Sequence, residues 1–350
     1  MIGTGHPKQV HFWRNIVRNL IEDGHEVKIL TTDKDVTLQL LSIYGLDYEI
    51  YGTHQKSMAQ KAYSMISRTY KAFIIAKRFM PDILIAGTPY LAYVGKMLGK
   101  PHIMLTDTEH ANLAYWLTYP FTDVIITPSC FKGKINPKRH VAYNGYEELA
   151  YLHPNYFKPD PSVLEAVGLS EDDKFIIVRF VAWGASHDIG DCGFSDKKEV
   201  VKTLEQYGRV FITSETKLSR EFEKYRITIP IEVVHHLMHY AELFIGESAS
   251  MSTESAILGT PAIFVSTSRR GYTDELESKY DMLYTFSDPH NAQKKALEKA
   301  IELMEDKNTK KKWQKKRKKL LDDKIDVTEF ITEFIENYPE RLLNLKNSVV

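Results

Sequence analysis

Cysteine is nearly absent: the 350 residues include only Cys130 and Cys192, far apart and in no Cys-x-x-Cys pair. This excludes a disulfide framework and a cysteine zinc site as organising features, and it fits a reducing compartment. An excess of charge of one sign is also missing. Lys and Arg number 46, as do Asp and Glu, so the formal net charge is zero. A surface basic throughout is thereby excluded, and no nucleic-acid partner is expected. No apolar run approaches the roughly 18–20 residues of a membrane span. The opening Met1-Ile2-Gly3-Thr4-Gly5-His6-Pro7 lacks the apolar stretch of a signal peptide. Solenoid repeats and low-complexity tracts are missing too. What remains, 43% hydrophobic and 26% charged residues, is ordinary for a folded chain. Single cores stop growing at about 250–300 residues, so two domains and a cytoplasmic location are expected.

Short apolar runs alternate with amphipathic stretches. Strands are expected at 27–30, 48–51, 83–86, 103–105 and 124–126, with helices at 8–23, at 57–78 and between Pro89 and Gly99. A proline-containing stretch with few periodic apolar residues follows, holding Pro154, Pro159 and Pro161. The alternation then restarts with strands at 175–178, 210–212, 243–245 and 262–265, and the chain reads as helical from 291 onward. Strand–helix–strand at this spacing means βαβ units and mostly parallel sheets. The expected architecture is α/β: two Rossmann-like, doubly wound domains with an interdomain cleft and C-terminal helices. Boundaries fall at 1–150 for the first domain, 151–172 for a linker and 173–350 for the second. Only Met1 and Ile2 precede the first glycine turn, so the first strand is short or its natural start lies upstream.

Ligands of open α/β sheets bind at the carboxyl ends of strands, so residues just after the expected strands are the candidates. The strongest signal is Gly246-Glu247-Ser248-Ala249-Ser250-Met251-Ser252-Thr253-Glu254. Small residues there open a helix, whose first N–H groups favour an anion. Ser248, Ala249, Ser250 and Ser252 would hold a diphosphate without metal, and Glu254 would accept from ribose hydroxyls. Met251 stands where a capping box reaching Glu254 needs Ser or Thr, so capping explains less of this loop than an anion site does. Val181-Ala182-Trp183-Gly184-Ala185-Ser186-His187-Asp188 reads either as a phosphate loop, with Gly184 and Ser186 donating and His187 acting on the substrate, or as a solvated loop. Gly3-Thr4-Gly5-His6 precedes a helix and makes His6 a candidate base. In Thr106-Asp107-Thr108-Glu109-His110, Asp107 reads as a helix cap and Glu109 as a candidate base. His235, His236 and His239 lack the remaining features of a zinc site. The basic run bounded by Lys310 and Lys319 encloses Trp313; it reads as a solvated helix face, or as a peripheral membrane contact with the tryptophan amid the cations.

These strings carry a resemblance. Gly3-Thr4-Gly5-His6-Pro7 and Gly24-His25-Glu26-Val27 resemble the N-terminal segment of GT-B glycosyltransferases such as the bacterial lipid-linked GlcNAc transferase. Residues 244–265 (FIGESASMSTESAILGTPAIFV) resemble the donor-binding segment of those enzymes and of the non-hydrolysing UDP-GlcNAc 2-epimerases. Through LTDTEHA, AYNGYEELAYLHPNYF, RFVAWGASHDIG and HHLMHYAELFIGESASMSTESA, nearly the whole chain is similar to a largely archaeal family with a domain of unknown function in that superfamily. The resemblance implies a nucleotide sugar bound mainly by the C-terminal domain and no obligatory metal. It places Glu254 at the ribose and Ser248 to Ser252 at the diphosphate, aligns His6 with a catalytic loop of inverting transferases, and aligns His187 with an epimerase histidine. Gly87-Thr88 and Ser266-Thr267-Ser268-Arg269-Arg270-Gly271 stand where epimerases carry acidic motifs, which favours transfer. The expected function is a glycosyltransferase using a UDP-sugar donor and a glycan or lipid-linked acceptor in surface glycan synthesis. The alternatives are a UDP-sugar epimerase or hydrolase and a non-catalytic nucleotide-sugar-binding protein.

Overall fold

The computed structural model describes residues 1–53, 58–181, 193–214 and 218–347. Two wholly parallel sheets organise them. The first contains β1 (Ile2–Thr4), β2 (Ile29–Asp33), β3 (Tyr48–Thr53), β4 (Leu84–Ile85), β5 (His102–Leu105), β6 (Val124–Pro128) and β7 (His140–Tyr143), in the order β3-β2-β1-β4-β5-β6-β7. The second contains β8 (Phe175–Phe180), β9 (Arg209–Ser214), β10 (Leu243–Gly246), β11 (Ala262–Val265) and β12 (Leu283–Phe286), in the order β12-β11-β10-β8-β9. Central strands such as Leu243–Gly246 are buried throughout, as a sheet covered by helices on both faces requires. Strand order reverses between β1 and β4, and between β8 and β10. At these switch points the loops leave in opposite directions and open a crevice.

The local sequence accounts for the helices that frame the crevices. In Pro7–Glu22, proline occupies the first helical position, His6 caps, and Val10, Trp13, Ile16, Val17 and Leu20 are buried at helical spacing. The helix Ala249–Leu258 ends on Gly259 at φ +85°, a left-handed conformation that a side chain would strain. Two strands were not expected, β7 and β12. Both are edge strands of four residues with only alternate positions fully buried, so neither shows a continuous apolar run.

The domain boundaries differ from those expected. The chain divides into one unit of Met1–Tyr151 with Ile325–Val350 and another of Leu152–Lys324. The C-terminal segment from Ile325 therefore belongs to the first unit rather than the second. Ile325 N donates to Asn144 O at 3.0 Å and Thr328 Oγ1 to Ala150 O at 2.7 Å. The helix Val327–Glu336 buries Val327, Ile331 and Phe334 and packs on Pro7–Glu22. Gly145 has to be glycine for this approach, since a Cβ there would sit 2.5 Å from Val327 Cγ2. The expected linker at 151–172 is built into the second unit: Val163 and Leu164 are buried, and Asp160 N donates to His236 Nδ1 at 2.9 Å.

The basic run lies on the helix Thr309–Asp323, and its tryptophan points inward. Trp313 is buried, and its Nε1 donates to Met282 O at 3.1 Å. Lys310, Lys312 and Lys316 pair with Glu242, Asp306 and Asp281. The tryptophan that the membrane-contact expectation for Lys310 to Lys319 invoked thus anchors the helix to the second unit. Among the described residues no helix is long and apolar enough to cross a membrane.

Candidate functional site

At the carboxyl edge of the first sheet, one lysine meets three carboxylates. Lys8 stands in the first turn of Pro7–Glu22, directly after the β1 turn. Asp107 follows β5 by two residues, and Glu147 and Glu148 follow β7. Lys8 Nζ pairs with Asp107, with Glu147 Oε2 at 3.0 Å and with Glu148 Oε1 at 3.0 Å. The last contact is an ion pair without the alignment of a hydrogen bond. All four side chains are nearly enclosed, Glu148 at 1% exposure. Such groups remain in a core only when paired, because an isolated buried charge is too costly.

One cation cannot neutralise three anions, so the cluster keeps protons. Burial raises Asp107, but the Lys8 charge and hydrogen bonds from Lys8, Thr108 and Glu147 outweigh it and hold Asp107 below the usual range. Glu147 is pushed up to about 8, first by burial and then by the Asp107 charge. Glu148 is raised to about 7 by burial, against the pull of Lys8. The three titrate as a coupled set, with a proton held on Glu147 toward ionised Asp107. A carboxyl group that exchanges its proton near neutrality is suited to general acid–base chemistry.

Glu147 also lines a pocket at the β1/β4 switch point, with Gly3 from β1, Ile85 and Gly87 from the end of β4, and Phe12 and Trp13 from the first helix. Gly3 permits the close approach of β4: a Cβ there would lie 3.0 Å from Ala86 Cβ. Gln9 fixes the turn, its Oε1 accepting from Gly5 N at 2.9 Å.

The candidates read from the sequence flank this cluster. His6 is exposed and caps the helix, its Nδ1 accepting from Lys8 N at 3.2 Å. The neutral ring therefore carries its proton on Nε2. Glu109 accepts from Lys132 N at 3.3 Å. Asp107 is not the helix cap it resembled: the next helix begins at Asn112 after Ala111, and Asp107 turns inward to Lys8. Lys8, Glu147 and Glu148 escaped the sequence reading. Lys8 looked like an ordinary surface position of an amphipathic helix, and the two glutamates lay at the expected end of the first domain, just before the stretch read as linker. The paired acids directly after Tyr143-Asn144-Gly145-Tyr146 were the one available signal.

In the second unit, a serine cap organises the edge after β10. Ser248 caps Ala249–Leu258 without a capping box, its Oγ accepting from Met251 N at 3.4 Å, and Ser252 Oγ donates to Ser248 O at 2.8 Å. Glu254 is buried with its Oε1 3.2 Å from His235 Nε2. Glu247 accepts from Val181 N at 2.9 Å and Phe194 N at 2.8 Å, tying the end of β8 to the chain at 194 across the β8/β10 switch point. A Cβ on Gly193 would meet Glu247 Oε1 at 2.1 Å, so the clamp requires that glycine. Gly184, Ser186 and His187 lie outside the described residues. The three histidines of the helix Val234–Tyr240 take separate partners: His235 meets Glu254, His236 accepts from Asp160, and His239 Nδ1 lies 3.0 Å from Leu258 O. Among the described residues no group of three or more His, Cys, Asp or Glu side chains is placed to hold a metal ion.

Comparison with known proteins relates this geometry to others. The UDP-GlcNAc 2-epimerase of Neisseria meningitidis, solved with UDP-GlcNAc bound, superposes with a TM-score of 0.68 at 11% identity, covering 95% of this chain and 98% of that one. The glycosyltransferase VinC, solved with dTDP, gives 0.62 at 14% identity, covering 96% and 98%. At such identities the likeness is one of fold, and the fold is that of GT-B-like proteins. An uncharacterized protein of Methanocaldococcus jannaschii is 24% identical over 267 residues, 73% of this chain and 77% of its own. The family model described as "Protein of unknown function (DUF354)" matches residues 2–339, and the chain belongs to that family.

Proposed function

We propose that this protein is a nucleotide-sugar enzyme of the transferase type, and that the Lys8–Asp107–Glu147–Glu148 cluster performs its proton transfer. The observation that carries this reading is Glu147: a carboxyl group raised toward neutrality that lines the pocket at the first sheet's switch point. In a transfer reaction, the ionised cluster takes the proton from the acceptor hydroxyl through Glu147. The acceptor oxygen bonds to the anomeric carbon, and the bond from that carbon to the diphosphate breaks, its electron pair leaving on the nucleotide. Lys8 keeps Asp107 ionised and so sets how readily Glu147 gives up and regains its proton.

The second domain would hold the nucleotide at the edge after β10. Ser248 and Ser252 shape the turn, and the N–H groups of Ala249 and Ser250 in the first helical turn face the diphosphate with the positive end of the helix, in place of a metal. Glu254, oriented by His235, would take the ribose. The absence of a carboxylate at Gly87-Thr88 after β4 favours transfer over epimerisation. A lipid-linked or other glycan hydroxyl is the acceptor in this reading.

The test is calorimetric titration of UDP, dTDP and UDP-sugars with and without chelator, then analysis of sugar products by NMR. Binding that survives chelation, with sugar passed intact to an added acceptor, is expected. Sugar of altered configuration released without acceptor would establish the epimerase reading, and binding without turnover would establish a binding protein. Failure of every nucleotide to bind would overturn the proposal.

A further inference from the structure

Thirteen large apolar side chains are exposed among the described residues, and all thirteen belong to the first unit. Six of them lie on three helices that form one layer. The helices Met58–Phe79, Pro89–Leu98 and Asn112–Thr118 connect β3 to β4, β4 to β5 and β5 to β6. Those crossovers all advance in the same direction, so their right-handedness puts the three helices on one face of the sheet. They pack in sequence, the first on the second, and the second on the third and on the turn Tyr119–Phe121. The outer side of this layer shows Ile66, Tyr70 and Ile74 at successive helical turns, then Met97, then Leu113 and Trp116. Trp116 leaves 75% of its surface in water, although its neighbour Tyr115 is buried and hydrogen-bonded to Thr106 at 2.8 Å.

The same segment is strongly basic in a chain that is neutral overall. Residues 54–139 contain 12 Lys and Arg against 4 Asp and Glu. The few acids are engaged: Asp107 with Lys8, Asp82 with Lys100, Asp123 with His102 N and Glu109 with Lys132 N. The helix Met58–Phe79 has no acidic residue at all. Lys71, Lys77, Lys96 and Lys134 are exposed on or beside the layer, Lys134 in the stretch whose Phe131 and Ile135 pack against the cluster of Met104, Tyr115 and Ile125.

Exposed aliphatic and aromatic side chains interspersed with cations and nearly free of anions match an anionic bilayer surface. Tryptophan favours the headgroup level, and each cation adds attraction to acidic lipid. We propose that this three-helix layer of the first domain docks on a membrane carrying anionic lipid. The helix bearing Trp116 starts five residues after Asp107, so docking would set the proton-transfer cluster beside the lipid surface, where a lipid-linked acceptor resides. Only that last consequence rests on the proposed function.

The full-length protein, without substrate, is mixed with vesicles of phosphatidylcholine alone or with phosphatidylglycerol and separated by flotation, while tryptophan emission is recorded. Flotation with the anionic vesicles only, weakened by salt and accompanied by a blue shift, is expected. Leu113→Ser with Trp116→Ser should abolish the shift and the flotation. Lys71→Ala and Lys134→Ala should each lower the partition constant about fivefold. Circular dichroism of each variant establishes that it is folded. No flotation at low salt, or equal flotation of parent and variants, would overturn the proposal. So would a stable dimer dissociated by Trp116→Ser, which would make a second copy the occupant. Because no catalysis is read, loss of docking and failure of the transferase reading are separate results.

Discussion

Replacing Glu147 by Gln isolates the electrostatics of the buried cluster. Glutamine has the shape of a protonated glutamic acid and can still donate to Asp107, but it cannot ionise. In the parent, Glu147 rises from an ordinary 4.5 to about 8 because burial and Asp107 disfavour its charge. Between those values the folded chain keeps a proton that the unfolded chain has released. Stability from this group is therefore complete below about pH 4.5 and is lost as pH rises through about 8. If Glu147 titrated alone, the loss would be about 5 kcal/mol at 1.36 kcal/mol per pKa unit. Glu148 and Asp107 share the same Lys8, which spreads the effect, so a loss on the order of 2–5 kcal/mol is expected. Glu147→Gln should thus match the parent at about pH 5 and exceed it by that amount at about pH 9. Urea unfolding at both pH values, with hydrogen exchange in the helix Pro7–Glu22 as the local reporter, measures the difference. A variant equally destabilised at both pH values, or a parent whose stability is flat across the range, would refute the reasoning.

Gly145→Ala should destabilise the first unit by about 1–3 kcal/mol, because the new Cβ meets Val327. Val327→Ala should recover part of this in a double-mutant cycle, and additivity would place residues 325–350 elsewhere. Trp313→Ala should cost the second unit about 3–5 kcal/mol in thermal unfolding and leave vesicle flotation unchanged. Ser248→Ala should lose about 1 kcal/mol of stability through its helix cap, read by denaturant midpoint.

The fold was legible where physical constraints are local. Alternation of short apolar runs with helices announced the parallel sheets, and Pro7 before an amphipathic stretch marked the first helix. Edge strands were not legible: His140-Val141-Ala142-Tyr143 is half-buried and carries no long apolar run. The return of residues 325–350 to the first unit is a tertiary choice, made by Val327 against Gly145 and by Thr328 on Ala150, with no trace in local periodicity. At the candidate site, the loops after β1 and β5 were identified from their position after strands. His6, which is exposed, and Glu109, which is half-buried, attracted attention because they look reactive. Lys8 and Asp107, two positions away from each, are the buried pair. Burial decides which ionisable group is perturbed, and burial at a loop depends on what another segment covers, here Glu147 and Glu148 from beyond β7. The Glu247 clamp was hidden for the same reason: its partners are backbone N–H groups 53 and 66 residues away.

The most direct test of the account is the rate of nucleotide release from a UDP-sugar donor in the presence of acceptor, measured across pH for the parent and Glu147→Gln. If Glu147 carries the proton, the parental rate rises with pH as the cluster ionises, and the variant loses about 10²–10⁴-fold and the pH dependence with it. Equal rates and the same pH profile in both proteins would contradict the claim that this cluster performs the chemistry.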